Sequence, residues 1–336
     1  MSPTADAAKV AAPSAPQDGR WRRSVRLQEL GPLLGLVAIV LVIGVTHSRF
    51  FSDTVIMSNV RTASVVAIIA FGIVFLLAMT EIDLSVGGIY GVCFYLAAKL
   101  MGDSSVDPYL AAVIALAAGV AMGAFNGVAA NAFRVPVIIV TLGTFSLYRG
   151  LVSVISGGEA TPTLPVDSSF FTTFGGDWLG IPVIGWFAVV IGAVLTFVMQ
   201  KTRFGVMVRA VGSNREAARF SGIPSGRVRL YALMLTGLLA ALSGVLSLAY
   251  FEAGDPSIGR GLELNVIAAA IIGGTSLSGG TGSVPGALIG ALIVAAITSG
   301  LVFFKVDPLW GDVVTGIVIL VAVGIAGLLR RQAART

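Results

Sequence analysis

Two uncharged stretches, Trp178 to Gln200 and Leu230 to Phe251, enclose the polar, basic segment VGSNREAARFSGIPSGRVR from Val211 to Arg229. Each stretch is long enough to cross a hydrocarbon core of about 30 Å, which takes roughly 20 helical residues. The chain must therefore leave an apolar medium, build something polar and return. Charged residues make up only 12% of the sequence and the mean hydropathy is +0.94. Most of the 336 residues thus need lipid as their solvent.

Further apolar runs suggest spans near 33–45, 62–79, 86–101, 109–130, 135–153, 264–274, 285–304 and 311–329. With the two above, the expectation is an all-α membrane protein of about ten transmembrane helices. Residues 1–30 read as a disordered basic tail: Ala, Pro and Ser to about residue 20, then Arg20, Arg22, Arg23 and Arg26. Residues 31–329 form the membrane domain, and 330–336 a short tail with Arg330, Arg331 and Arg335. Sixteen of the 22 Lys and Arg lie in the N-terminal tail, at Arg134, in the loop 201–229 and in this C-terminal tail. An even number of spans puts all of these on the cytoplasmic side, N-in and C-in, as the positive-inside rule requires. The 22 Lys and Arg exceed the 17 Asp and Glu, but they sit in short loops instead of one polar domain, which argues against nucleic acid as a partner.

Several chemistries are excluded by composition. Cys93 is the one cysteine and His47 the one histidine, so there is no disulfide framework, no Cys- or His-based metal site and no Ser-His-Asp triad. No GxxxxGK[ST] or GxGxxG spacing occurs, so the chain has no Walker lysine and should not hydrolyse ATP. No acid and base pair emerges. The expectation is a protein that is not an enzyme and holds no cofactor of its own.

Within the basic loop, Ser213 is a good helix N-cap, Glu216 completes a capping box, and Gly222 with Pro224 supplies a stop. A helix of about two turns is expected outside the bilayer, with Ala217 and Ala218 set among Arg215, Glu216 and Arg219. Two readings stand: a solvated loop helix that binds nothing, or a helix whose small residues seat it in a groove on another protein.

Two segments resist a plain helix count. No charge occurs from Leu264 to Phe304, yet GGTSLSGGTGSVPG at 273–286 is full of helix breakers. It is either an ordinary loop or a broken, re-entrant pair, and irregular backbone at depth needs protein or a water-filled cavity beside it. The second segment, EIDLSVGG at 81–88, puts carboxylates next to apolar runs. Asp83 with Ser85 either caps the next span or lines a pathway, and Glu81 reads as a solvated loop position. Gly119, Gly123 and Gly127 recur every four residues, as do Gly286 and Gly290, which lets helix backbones meet closely in lipid. Asn126 and Asn131 are suited to hydrogen bonds between helices.

Several motifs together resemble the permease subunits of bacterial ABC importers for monosaccharides, the family of the ribose, xylose and galactose permeases. They are EIDLSVGG at 81–88, NGVAANAFRVP at 126–136, VTLGT at 140–144 followed by Arg149 and Gly150, VGSNREAARFSGI at 211–223 and ELNVIAAAIIGGTSLSGGTGSVPG at 263–286. They occur in the family's order over most of the chain from about 60 to 320. This chain departs from many relatives in having Glu81 where they carry Gly, and Pro136-Val137 where they carry Pro-Phe.

The resemblance implies a subunit of the bacterial inner membrane that pairs with a second permease copy or a paralogue. A periplasmic sugar-binding protein would deliver solute, and a cytoplasmic ABC ATPase would use the ATP. Ser213, Asn214, Arg215, Glu216, Ala217, Ala218, Arg219 and Gly222 are then similar to the coupling helix that docks on that ATPase. Sugars are polar and neutral, so their path needs hydroxyl, amide and backbone groups; Asp83, Ser85, Asn131, Thr141, Thr144 and Thr275 fit that need. A nucleoside, a polyol, a branched-chain amino acid or a furanose signal would suit the same architecture. A gradient-driven carrier is the rival from another class: it would use Glu81, Asp83 and Glu263 and need no docking loop.

Overall fold

A computed structural model describes residues 18–160 and 163–307, and beyond them only 310, 311, 313, 314, 316, 317, 320 and 324. The expected tenth span at 311–329 and the tail 330–336 therefore fall largely outside the described residues, as do residues 1–17.

Among the described residues the regular structure is helical apart from an isolated bridge at residue 254 and one hairpin of two-residue strands. The main helices are α1 (Asp18–Thr46), α2 (Asp53–Ala78), α3 (Val86–Gly102), α4 (Pro108–Phe133), α5 (Val137–Ser156) and α7 (Val183–Lys201), followed by α10 (Ser225–Phe251), α11 (Leu262–Ile272) and α12 (Val284–Phe303). Three short helices, α6 (Ser169–Phe174), α8 (Arg203–Ser213) and α9 (Arg215–Phe220), lie between them. The hairpin pairs β1 (Asp177–Trp178) with β2 (Ile181–Pro182) through Leu179 and Gly180, both at positive φ, as a tight two-residue turn demands.

Among the described residues, six helices are long and apolar enough to cross a membrane: α2, α4, α5, α7, α10 and α12. Helices α3 and α11 are shorter, with 17 and 11 residues, so two of the expected spans are not full-length helices. The first helix also starts at Asp18, inside the stretch expected to be a disordered tail; Arg20, Arg22, Arg23 and Arg26 belong to its first turns.

Local chemistry sets the boundaries. Asp107 accepts from the Tyr109 and Leu110 amides and Pro108 fills the first turn, so α4 begins there; it ends at Arg134 in the left-handed region, just before Pro136. Ser283 accepts from the Gly286 amide and opens α12.

Burial is uneven. The most apolar window is 78% buried in α2 and α10 but 28% in α4 and 22% in α5. Helices α2 and α10 form the centre, while α4 and α5 turn Phe125, Val128, Ile139 and Leu142 outward. Close approach depends on glycine where α4 meets α10: a side chain on Gly123 would run into the Leu233 backbone, and one on Gly119 into Gly237 and Ala241. Gly127 meets Leu230 in the same seam. On the other side of the bundle, Gly286 packs on the Gly273 backbone and Gly290 on Ala269, joining α12 to α11.

Helix α11, with 11 residues, is about 16 Å long, half of a bilayer core. The chain reaches it through the irregular segment 252–261, anchored where Arg149 of α5 donates to the carbonyls of Ile258 (2.7 Å) and Ser257 (3.4 Å). The Gly-rich stretch 273–283 lies at the far end of α11. There the Gly280 amide donates to the Ala78 carbonyl (2.8 Å), and Gly279 packs on Gly212. The backbone is thus irregular on both sides of α11, over 252–261 and over the Gly-rich 273–283.

Candidate functional site

One end of the bundle gathers the C-terminus of α2, the ends of α4 and α8, the starts of α5 and α10, and the Gly-rich turn. The polar helix α9 sits on this end. Thr202 caps α8 through the Gly205 amide, and burial of Val208 and Val211 holds α8 to the bundle. Because α8 stays helical through Ser213, the cap of α9 falls one residue later than expected. Asn214, not Ser213, accepts from the Glu216 and Ala217 amides (3.0 and 2.9 Å). Gly222, at φ +80°, closes the helix while the Ile223 amide bonds back to Ala218 and that of Gly222 to Arg219, which is a Schellman ending. Asn214→Ala is expected to cost about 1 kcal/mol of local helix stability. Amide hydrogen exchange at 215–220 should rise accordingly while α10 stays protected.

The exposed face of α9 consists of Arg215, Glu216, Ala217, Arg219 and Phe220, with Ser213, Asn214 and Gly222 at its ends. Phe220 is 87% exposed. Ala218 is buried in the chain's own core, so of the two alanines expected to face a partner, one instead seats the helix on the bundle.

Glu81 connects this helix to the interior. Its Oε1 lies 2.5 Å from Arg215 of α9 and 3.0 Å from Arg229 of α10, and its Oε2 accepts from the Val137 amide at the start of α5 (3.3 Å). The carboxylate is buried, with a side-chain exposure of 6%. The expectation of a solvated position is corrected: two arginines and a helix N-terminus compensate the charge and permit its burial. Sequence spacing hides this, because Arg215 lies 134 residues away.

Deeper in, the residues expected along a path separate into groups. The Ser85 amide and hydroxyl donate to Asp83 Oδ1 (2.8 and 2.6 Å), and Asn126 of α4 donates to the Ser85 hydroxyl (2.8 Å). Tyr148 of α5 donates to Asn126 Oδ1 (3.2 Å). Thr141 accepts from the Leu84 amide (3.2 Å), and Thr144 lies one turn on, donating to the Thr141 carbonyl. Asp83, Ser85, Thr141 and Thr144 are all buried, so this network ties α3, α4 and α5 together. The Asp83 turn starts α3, and Asp83 Oδ2 is buried with no hydrogen-bond partner among the described residues.

Asn131 and Thr275 lie elsewhere. Asn131 donates to the Gly226 carbonyl (3.0 Å) and accepts from Arg229 (3.4 Å), next to the Glu81 cluster. Thr275 closes the Gly-rich turn, accepting from the Ser283 amide (3.5 Å). Gly87, in the first turn of α3, packs on Glu263 in the first turn of α11, so two shortened helices meet by their N-termini. Tyr148, Arg149 and Glu263 carry these junctions; only Arg149 and Glu263 lay in recognised motifs, and nothing in the spacing of Tyr148 sets it apart from other apolar-run aromatics.

A family model described as branched-chain amino acid transport system / permease component matches residues 55–323. The chain is similar to the ribose import permease protein of Bacillus subtilis (strain 168), at 37% identity over 297 residues, 88% of this chain and 92% of that protein. It is also similar to autoinducer 2 import system permease proteins. That of Yersinia enterocolitica is 32% identical over 298 residues, 89% of this chain and 82% of the relative; that of Salmonella typhi is 33% identical over 303 residues, 90% and 86%.

Proposed function

Because the chain belongs to the family of branched-chain amino acid transport system permease components, we propose that it is the transmembrane subunit of an ABC importer for a monosaccharide-like solute. The relatives named for ribose and autoinducer 2 import support a small, polar cargo of that class. In this reading a periplasmic binding protein delivers the solute, and a separate ATPase docks on α9 from the cytoplasm. A second permease copy completes the pore, and the assembly lies in the bacterial inner membrane. Ten spans with both termini cytoplasmic would put the α9 end of the bundle inside.

The observation that carries the reading is the exposed, separately capped α9, bound to the interior through one buried carboxylate. A solvated loop has no need of either device. Closure of the partner ATPase would displace α9. The Glu81 cluster would pass that displacement to the start of α5, to α10 and to the linker into α3, opening the bundle on alternate sides. No energy-converting chemistry is needed in this chain, since the ATP is spent on the partner.

Co-purification with the ATPase tests this. The wild type should capture it, and Glu216→Lys with Phe220→Ala should reduce capture at least about tenfold, as loss of an exposed aromatic anchor and reversal of a neighbouring charge imply. Both positions are exposed, so folding should be unchanged. Undiminished capture by the double variant, or gradient-driven uptake that persists without an ATPase, would remove the docking assignment.

A further inference from the structure

We propose that the cleft between α2 and α12, at the end of the bundle opposite α9, is a solute site within one protomer that takes a neutral, polyhydroxylated molecule of monosaccharide size. The proposal rests on the import reading above and adds where in this chain the cargo would bind.

Two adjoining cavities of about 370 and 400 Å³ share Ser58, Thr62 and Thr298 as walls, each in the range of small-molecule sites. Thr54, Ser58 and Thr62 recur every four residues and so lie on one face of α2, a row of hydroxyls about 12 Å long. Thr298 of α12 faces it, and Ser58, Thr62 and Thr298 are all exposed to the open space. Hydroxyls lined up inside two apolar helices bring no packing advantage over Ala or Leu. They do supply donors and acceptors that cost little to leave hydrated.

The charge pattern narrows the ligand. Arg61 is the one Asp, Glu, Lys or Arg on these walls among the described residues. It is already engaged: its guanidinium pairs with Asp177 of the hairpin at 2.6 Å and lies 4.2 Å from the Tyr250 ring centroid. An anion would meet no uncommitted cation here, and a cation no carboxylate other than the one Arg61 holds. A neutral solute meets the hydroxyls of Ser58, Thr62 and Thr298 beside the Tyr90 and Tyr250 side chains, polar groups and apolar ring edges of the kind a sugar needs. At the floor the cleft reaches Leu262 and Asn265, the first turns of the half-length helix α11. The site thus ends where α11 meets α3. None of Asp83, Ser85, Asn131, Thr141, Thr144 and Thr275 lines it.

The native Cys93 is buried, so a single introduced cysteine gives a clean probe. In membranes holding the complete transporter, Thr62→Cys is expected to react with a charged, membrane-impermeant methanethiosulfonate, and ribose is expected to slow that reaction in a concentration-dependent way. Reaction only with an apolar maleimide would mean that lipid fills the cleft and would overturn the proposal, as would labelling that ribose leaves unchanged. In parallel, Thr62→Leu is expected to cut uptake about tenfold by filling the space while ATPase capture stays at the wild-type level. Full-rate uptake by that variant sinks the site but leaves the import reading intact. A wild type that imports no sugar with its partners present sinks the import reading itself, whereas ribose-sensitive labelling there would still support the site.

Discussion

Glu81→Gln is expected to destabilise the chain by about 3 kcal/mol, the usual cost of removing one partner from a buried ion pair, and to lower uptake by more than that loss of folded protein explains. The stability effect follows from Arg229, whose side chain is only 14% exposed and would be left as an uncompensated charge. Arg215, at 47%, keeps much of its hydration and should add little. Glu81→Gln combined with Arg229→Gln should therefore recover most of the thermal stability in detergent, because a neutral pair replaces a broken ionic one. Uptake should not recover, since α9 would still lack its anchor to the start of α5 and the α3 linker. Recovery of both in the double variant would reduce Glu81 to a purely structural residue, and an unchanged melting temperature in the single variant would contradict the burial on which the argument depends.

The second large effect concerns the α4–α10 seam. Gly123→Leu is expected to abolish a monodisperse, folded product, because even the Cβ would collide with the Leu233 carbonyl and two helix backbones would have to separate. Overpacking a fixed interface costs about 1–3 kcal/mol per site, and more where backbone must move. Gly143→Ala on α5 serves as the contrast. Nothing lies within 4 Å of a Cβ there, and Ala favours a helix over Gly by about 1 kcal/mol, so size-exclusion profile and yield should match or exceed the wild type. If both variants behave alike, the seam is not held by backbone contact.

Much of the architecture was legible because lipid imposes a simple rule on composition. The six long helices fall on apolar runs read directly from the residues, and the polar segment between α7 and α10 does contain a short capped helix. The misreadings share one cause, long-range packing. Ser213 and Asn214 are both competent caps, and the choice between them was made by α8, whose burial of Val208 and Val211 carries the helix one residue further. Glu81 read as solvated because its arginines come from α9 and the start of α10. Helix α11 was counted among the spans with a broken pair left open beside it, because hydropathy does not register that segment 252–261 turns into the bundle. The row on α2 went unread, because Thr298, which makes it one wall of a cleft, lies more than two hundred residues away. Tyr148 is similar: its phenol matters only because α4 presents Asn126 opposite.

The half-length of α11 also bears on how the protein is made. Eleven residues with Glu263 in the first turn are too few for an insertion machinery that reads hydropathy over about 20 residues. The segment from Glu252 to Ile272, carrying Asp255, Arg260 and Glu263 besides, should leave the ribosome without being recognised as a span. It would take its place only once α2, α3 and α12 are in the bilayer to receive it. Biogenesis would then have two stages: long helices inserted during translation, and a late post-translational step that brings α11 home and completes the interior.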